Sequence, residues 1–209
     1  MNSRLRPYVL LASLTLASVT GAVRAAPVDR AQKSKECEAL RMNYAASAAY
    51  HPYDDVVGSL RVQCSEQMVN KNFAKVIELV ELGLRRDPYN IHLLRTEAAA
   101  YRASGNPEKA EEIRALWYGL MDSILNSGDG LGYRSAFQVI TTDEEDAVLE
   151  TLHLVSNDKR TITRKGVQYD VFKAEDTETH ESREVYFNVD RPKRWQAQQA
   201  AAAKPLPPP

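Results

Sequence analysis

The chain has 209 residues, of which 44% are hydrophobic and 26% charged, with a formal charge of −1. That length allows one large domain or two small ones, and the composition suits a globular chain able to bury a core. A balance this close to neutral makes the chain a poor candidate for sequence-independent nucleic-acid binding, which needs clustered Lys and Arg to displace counterions, and no nucleic-acid partner is expected.

Residues 1–6 are a short basic region, residues 7–23 are apolar and uncharged, and Val23-Arg24-Ala25 puts small residues at the two positions a signal peptidase reads. The pattern predicts a secretory signal peptide over residues 1–25, cut before Ala26. The apolar run is broken by Ser, Thr and Gly and is marginal for a membrane span. No cysteine stands at the cleavage point, so no lipid anchor is expected there. The expected location is periplasmic or secreted, with no stable membrane insertion after cleavage. Loss of Arg4, Arg6 and Arg24 leaves 24 basic against 28 acidic residues. The one compact basic cluster, Arg191–Trp195, reads as a solvated boundary.

Residues 29–50 are Ala-rich and suit a helix, which His51-Pro52 ends because proline disfavours helix at the residue before it. Val57, Leu60, Cys64 and Met68 recur at helical spacing in a second helix. A third carries Phe73, Val76, Ile77, Val80 and Leu84, with Arg85 and Arg86 at the end where the helix dipole favours cations. Asp87-Pro88-Tyr89-Asn90 breaks the chain, and Asn90 can cap a fourth helix bearing Ile91, Leu94, Ala98 and Tyr101. After Gly105, Asn106 as cap and Pro107 at the first helical position start a fifth, with Ala110, Ile113, Trp117, Leu120, Met121 and Ile124 inward.

Asn72-Phe73-Ala74-Lys75-Val76 and Asn106-Pro107-Glu108-Lys109-Ala110 stand 34 residues apart, the tetratricopeptide period. Barely two repeats fit, too few for a long concave peptide groove. A helical scaffold is expected over residues 26–126, with peptide binding as its secondary use.

The pattern changes after Ser127. Residues 136–141 alternate as a strand, residues 142–154 suit a short amphipathic helix, and residues 160–163 suit a strand followed by a turn at Lys165-Gly166. Residues 167–174 and 185–190 alternate again, giving a small α+β region over residues 127–192 with a mostly antiparallel sheet of three to four strands. Pro192 ends it. Residues 193–209, rich in Ala, Gln and Pro, are expected to be a disordered tail.

The two cysteines, Cys37 and Cys64, lie at similar distances from the turn at residues 51–53. In an antiparallel helical hairpin they would face each other, and an oxidising compartment favours a disulfide. Such a bond would stabilise the fold by roughly 3 kcal/mol. Free buried thiols and a two-ligand metal site are the alternatives, the latter short of the four ligands structural zinc takes.

Chemistry is sparse. Gly128-Asp129-Gly130-Leu131-Gly132 follows a helix and opens a strand, the reverse of a dinucleotide loop, so Gly128 reads as a left-handed helix stop and Asp129-Gly130 as a turn. Thr142-Asp143-Glu144-Glu145 fits a capping box with Thr142 as cap. Paired acids can also do acid–base work where burial separates their pKa values. The four histidines lack metal-ligand spacing, no serine lies in Gly-x-Ser-x-Gly, and neither a metal nor a cofactor is expected.

Tyr50-x-Pro52-Tyr53, residues 120–130, Ala136-Phe137-x-Val139-Ile140, Asp143-Glu144-Glu145, Tyr169-Asp170-Val171 and Tyr186-Phe187-Asn188-Val189-Asp190-x-Pro192 together resemble a bacterial secreted family known as domain of unknown function 4919. The resemblance covers roughly residues 40–192 and brings no activity. It points to Asp129, Glu144, Glu145, Tyr186 and Asn188 as a shared surface.

The expectation is an α+β protein: tetratricopeptide-like antiparallel helices followed by a small mostly antiparallel sheet with one helix. Its expected role is a non-enzymatic protein- or peptide-interaction module of the cell envelope. The alternative is a hydrolase-like enzyme using Asp129 with Glu144 or Glu145. The six-residue strand between them would span about 20 Å, too far for a direct pair unless the chain folds back.

Overall fold

The computed structural model describes residues 30–203, so the expected signal peptide lies outside the described residues. Five helices come first: α1 (Arg30–Ala45), α2 (Asp55–Val69), α3 (Phe73–Leu84), α4 (Ile91–Ala103) and α5 (Pro107–Leu125). The caps follow the sequence. Asp54 accepts from Val56 N at the start of α2, Asn90 from Leu93 N in α4, and Asn106 from Lys109 N in α5. From α2 to α5 each helix packs on the next, whereas α1 crosses over to pack on α5.

That crossing overturns the disulfide. Cys37 and Cys64 are both free and buried. Cys37 lies over Gly119 of α5, so close that a Cβ there would sit 2.6 Å from the Cys37 sulfur. Cys64 sits in a separate core with Val57, Leu60, Val76, Val80 and Leu93. The similar spacing about residues 51–53 has no structural meaning because α1 and α2 do not form a hairpin. Burial pushes both thiols' pKa values up, which keeps them protonated and inert. Mass spectrometry after alkylation should find neither cysteine modified in the folded protein and both modified after unfolding. Reductant should leave the melting temperature unchanged.

The second half holds β1 (Phe137–Gln138), α6 (Thr142–Thr151), β2 (Leu154–Arg164), β3 (Val167–Asp176), β4 (Ser182–Asn188) and α7 (Asp190–Ala202). The sheet runs β1-β4-β3-β2; β2–β3 and β3–β4 are antiparallel, and β1 joins β4 in parallel. Seven helices and this sheet make an α+β fold among the described residues. Lys165 and Gly166 both take positive φ (52° and 79°), the geometry of a two-residue hairpin turn, and link β2 to β3. A bulge between Val155 and Asp158 interrupts β2. None of the described helices is long and apolar enough to cross a membrane.

Three expectations change here. The strand expected over residues 136–141 pairs only at Phe137–Gln138, because Ala136, Phe137, Val139 and Ile140 are all buried and do not alternate. Residues 190–202, placed partly in a disordered tail, form α7, with Pro192 in its first turn where its missing N–H costs nothing. Trp195 anchors this helix by packing edge-on against His51, ring centroids 4.5 Å apart. Gly128 is not left-handed. It is needed because a Cβ there would collide with the Ser135 carbonyl as the loop folds back.

The main core joins both halves. Cys37, Ile91, Leu94, Leu120 and Ile124 from the helices meet Val148 of α6 and Phe137, Phe172, Val185 and Phe187 of the sheet. The period of two along β3 puts Asp170 on the same face as Phe172 and Ala174, pointing it at the helices rather than at water.

Candidate functional site

Two buried ionic clusters sit where α6 meets the rest of the molecule. The first centres on Arg41, which falls one turn after Cys37 on the buried stripe of α1. Its Nε and Nη2 make a bidentate pair with Glu144 at 2.8 and 2.7 Å, both side chains being almost fully buried. Nη1 donates to Ser123 Oγ of α5 at 3.1 Å, and Nη2 also donates to the Gln138 carbonyl of β1 at 2.8 Å. Glu144 Oε2 in turn accepts the Ile140 N–H at 2.7 Å, while Tyr50 Oη donates to the Ile140 carbonyl.

The capping box is thus one residue earlier than its spacing suggests. Thr141 is the N-cap and makes no side-chain capping bond, and Glu144, three residues on, reaches back past it to Ile140 N. Both Glu144 oxygens are occupied and the guanidinium is engaged at three nitrogens. A pair so thoroughly engaged in the interior has no open position for substrate. It ties α1, α5, β1 and α6 together.

The second cluster centres on Glu145. Lys159 and Thr161 are two apart on β2 and share a face; Asp170 stands directly across from Thr161 on β3. The Lys159 ammonium lies 2.7 Å from Glu145 Oε2 and 2.8 Å from Asp170 Oδ2, and sits 5.0 Å over the Phe172 ring. Thr161 Oγ1 donates to Asp170 Oδ1 at 2.5 Å. Glu145 and Asp170 are 1% and 0% exposed, so neither can meet a substrate in this conformation.

Burial outweighs the Lys159 contact and pushes the Glu145 carboxyl up to about 8. For Asp170 burial opposes ionisation too, but the nearby Lys159 ammonium and the hydrogen bond from Thr161 prevail and hold it below the usual carboxylate range. Burial pulls at the Lys159 ammonium, yet the two acids keep it above its ordinary value. Tyr53, from the loop between α1 and α2, is pushed up chiefly by burial and then by Asp170 and Glu145.

Tyr53 also lines a cleft with His51, Asp54, Asp87, Asn90 and Asp143. Three of its four acids are engaged. Asp54 pairs with Arg86 at 2.7 Å, and Asp143 takes Arg61 at 2.6 Å and Asn90 at 2.8 Å. Asp87, buried and bonded to Asn90 Nδ2, is pushed up to about 6, mainly by burial. Among the described residues no three His, Cys, Asp or Glu side chains converge as a metal ion would require.

The remaining sequence candidates lie on or beside β4. Asp129 is exposed and its Oδ1 accepts from Leu131 N and Ser135 Oγ, closing its own turn; these bonds hold its pKa down. Gly130 follows at φ 71° with the Phe137 ring packed against its α-carbon, a position open only to glycine. The Gly130 carbonyl accepts the Tyr186 N–H at 2.8 Å, so the turn does dock on β4. Tyr186 Oη donates to Glu184, and Asn188 Oδ1 accepts the Asp190 N–H at the start of α7. Asp129, Tyr186 and Asn188 therefore gather around β4, while Glu144 and Glu145 enter two separate buried clusters.

Sequence reasoning missed Arg41 and Lys159, and named Tyr53 and Asp170 only among the residues that carry the family resemblance. Two signals were there to read. Cys37, Arg41 and Tyr44 continue one helical stripe, and Asp170 shares its strand face with Phe172.

The model of the family described as Domain of unknown function (DUF4919) matches residues 24–198. No curated protein and no solved structure matches the chain.

Proposed function

The chain belongs to the family described as Domain of unknown function (DUF4919), and from that membership and the geometry we propose that it is a non-enzymatic interaction module of the cell envelope that binds a protein or peptide through its helical half. The observation that carries the reading is the contrast between its acids and its helical surface. The buried acids are consumed in ties between elements, whereas the groove between α1 and α5 is open and aromatic. Tyr118, 47% exposed, stands in it beside Ala115 and Gly119, flanked by the ion pairs Arg30–Asp122 and Lys33–Glu36. Arg114 stacks over the Tyr118 ring at 5.4 Å and holds it in place. Tyrosine and arginine are the residues on which interface energy concentrates.

The chemistry suits an amphipathic segment with an apolar anchor for Tyr118 and polar flanks for the paired charges at the rim. The 34-residue spacing and the consecutive packing of α2 to α5 support a tetratricopeptide-like scaffold. The leader-like residues 1–25 support an envelope location. Acid–base chemistry by Asp129 with Glu144 or Glu145 has less support, since Asp129 closes an exposed turn and the glutamates are buried.

Crosslinking in envelope extract with residues 26–209 as bait tests the reading. Tyr118→Glu should cut partner retention by a factor of about 30, the scale of an interface hot spot. Because the side chain is exposed, the variant's stability should stay within about 0.5 kcal/mol of wild type. Equal retention by both proteins, or no partner for either, would count against it.

A further inference from the structure

The Glu145 cluster contains an imbalance that packing does not explain. Two buried carboxyl groups face one ammonium, that of Lys159, whose side chain is 37% exposed, and both acids ionised would leave a net negative charge beneath it. Glu145 Oε1 and Asp170 Oδ2 are both buried without a hydrogen-bond partner among the described residues. Lys159 lies 2.8 Å from Asp170 Oδ2 but too obliquely to satisfy it.

We propose that Glu145 and Asp170 hold one proton between them in the native protein, and that this proton, with the Lys159 ammonium, is a pH-sensitive fastening of α6 to the β2–β3 hairpin. A proton on Glu145 Oε1 donated to Asp170 Oδ2 satisfies both orphaned oxygens with one bond. It also leaves one negative charge against one positive. The groups around the pair fit this assignment. β2 contributes Lys159 and Thr161, β3 contributes Asp170, and the α1–α2 loop contributes the buried Tyr53 hydroxyl. Lys193 of α7 further favours ionised Asp170. On α6 itself Asp146 is half-buried, with His92, Asp143, Lys159 and Arg61 acting on it. The raised Glu145 carboxyl and lowered Asp170 carboxyl are the split that two acids sharing a proton produce.

The sign follows from linkage. Glu145 titrates higher in the folded protein than in the unfolded chain. Its favourable contribution is complete below the unfolded value of about 4.3 and is lost as pH rises through the folded value. Above about pH 8 the pair carries two charges against one lysine, and α6 loosens from the sheet. Because Tyr53 also forms one wall of the cleft with Asp54, Asp87 and Asp143, the fastening sets that wall.

The test is a carbon-13 NMR titration of glutamate side-chain carboxyls in the labelled protein. The Glu145 resonance is assigned through its backbone correlations and checked by its absence in Glu145→Gln. A midpoint near 8 is expected; a midpoint near 4.3 overturns the proposal. Glu145→Gln, which carries a permanent donor, should in parallel lose most of the fall in melting temperature that wild type shows between about pH 5 and 8.5. Asp87 titrates in both proteins, so the difference between them isolates Glu145. An unchanged slope in a folded Glu145→Gln overturns the proposal as well. If that variant does not fold, the wild-type titration alone decides.

Discussion

Arg41→Ala should destabilise the protein by about 3–5 kcal/mol, the cost of removing one partner from a buried ion pair. The loss leaves the Glu144 carboxylate, 3% exposed, with only the Ile140 N–H, and strips Ser123 Oγ and the Gln138 carbonyl of a donor. Thermal unfolding followed by circular dichroism should show a fall of roughly 6–20 °C for a domain of this size. Arg41→Lys should recover only part of it, because one ammonium cannot reproduce the bidentate fork. The double change Arg41→Met with Glu144→Gln should be milder than Arg41→Ala, since the uncompensated charge is gone and the glutamine carbonyl still accepts from Ile140. A loss under about 1 kcal/mol for Arg41→Ala would mean that the cluster is hydrated or loosely held, contrary to its burial.

Phe187→Ala should cost about 3–5 kcal/mol, as large-to-small changes at fully buried aromatics do. Phe187 is 0% exposed, lies 5.8 Å from the Phe137 ring and 5.4 Å edge-on from Phe172, and is the register partner of both Phe137 on β1 and Asp170 on β3. Removing it opens a void where β1, β3 and β4 meet. Phe187→Leu should cost about half as much or less, because most of the volume stays filled. Urea denaturation gives both values, and an unchanged slope against denaturant confirms that native-state packing, not the unfolded chain, was altered.

The helical half was legible because its signals are local. Asn90 and Asn106 cap where their positions suggest, and Lys165-Gly166 turns as a positive-φ pair must. What stayed hidden depends on tertiary partners. The disulfide expectation assumed that helices adjacent in sequence pack together, and α1 instead crosses to α5, where Gly119 admits Cys37. The acids after Thr142 were legible as a helix start. Their division between Arg41, 103 residues away from Glu144, and Lys159 was not. Nothing in a one-dimensional pattern distinguishes a carboxylate at a solvated helix start from one buried beneath another helix. Pro192 misled in a different way: proline reads as the end of a strand but also fits the first turn of a helix, which is where it stands here.

The bulge in β2 bears on self-association. β2 is the long outer strand of the sheet, and an exposed strand of 11 residues is a template on which other chains could add. Ser156, at the bulge, turns its hydroxyl onto the Lys173 and Asp158 carbonyls, which interrupts the regular ladder. Asp158, Lys159, Arg160 and Arg164 place charge along most of the remaining length. At the opposite border β1 is only two residues long. Neither border offers a straight, uncharged run of backbone, so the sheet is guarded against polymerisation at both ends, and Lys159 serves that guard as well as the carboxyl pair within.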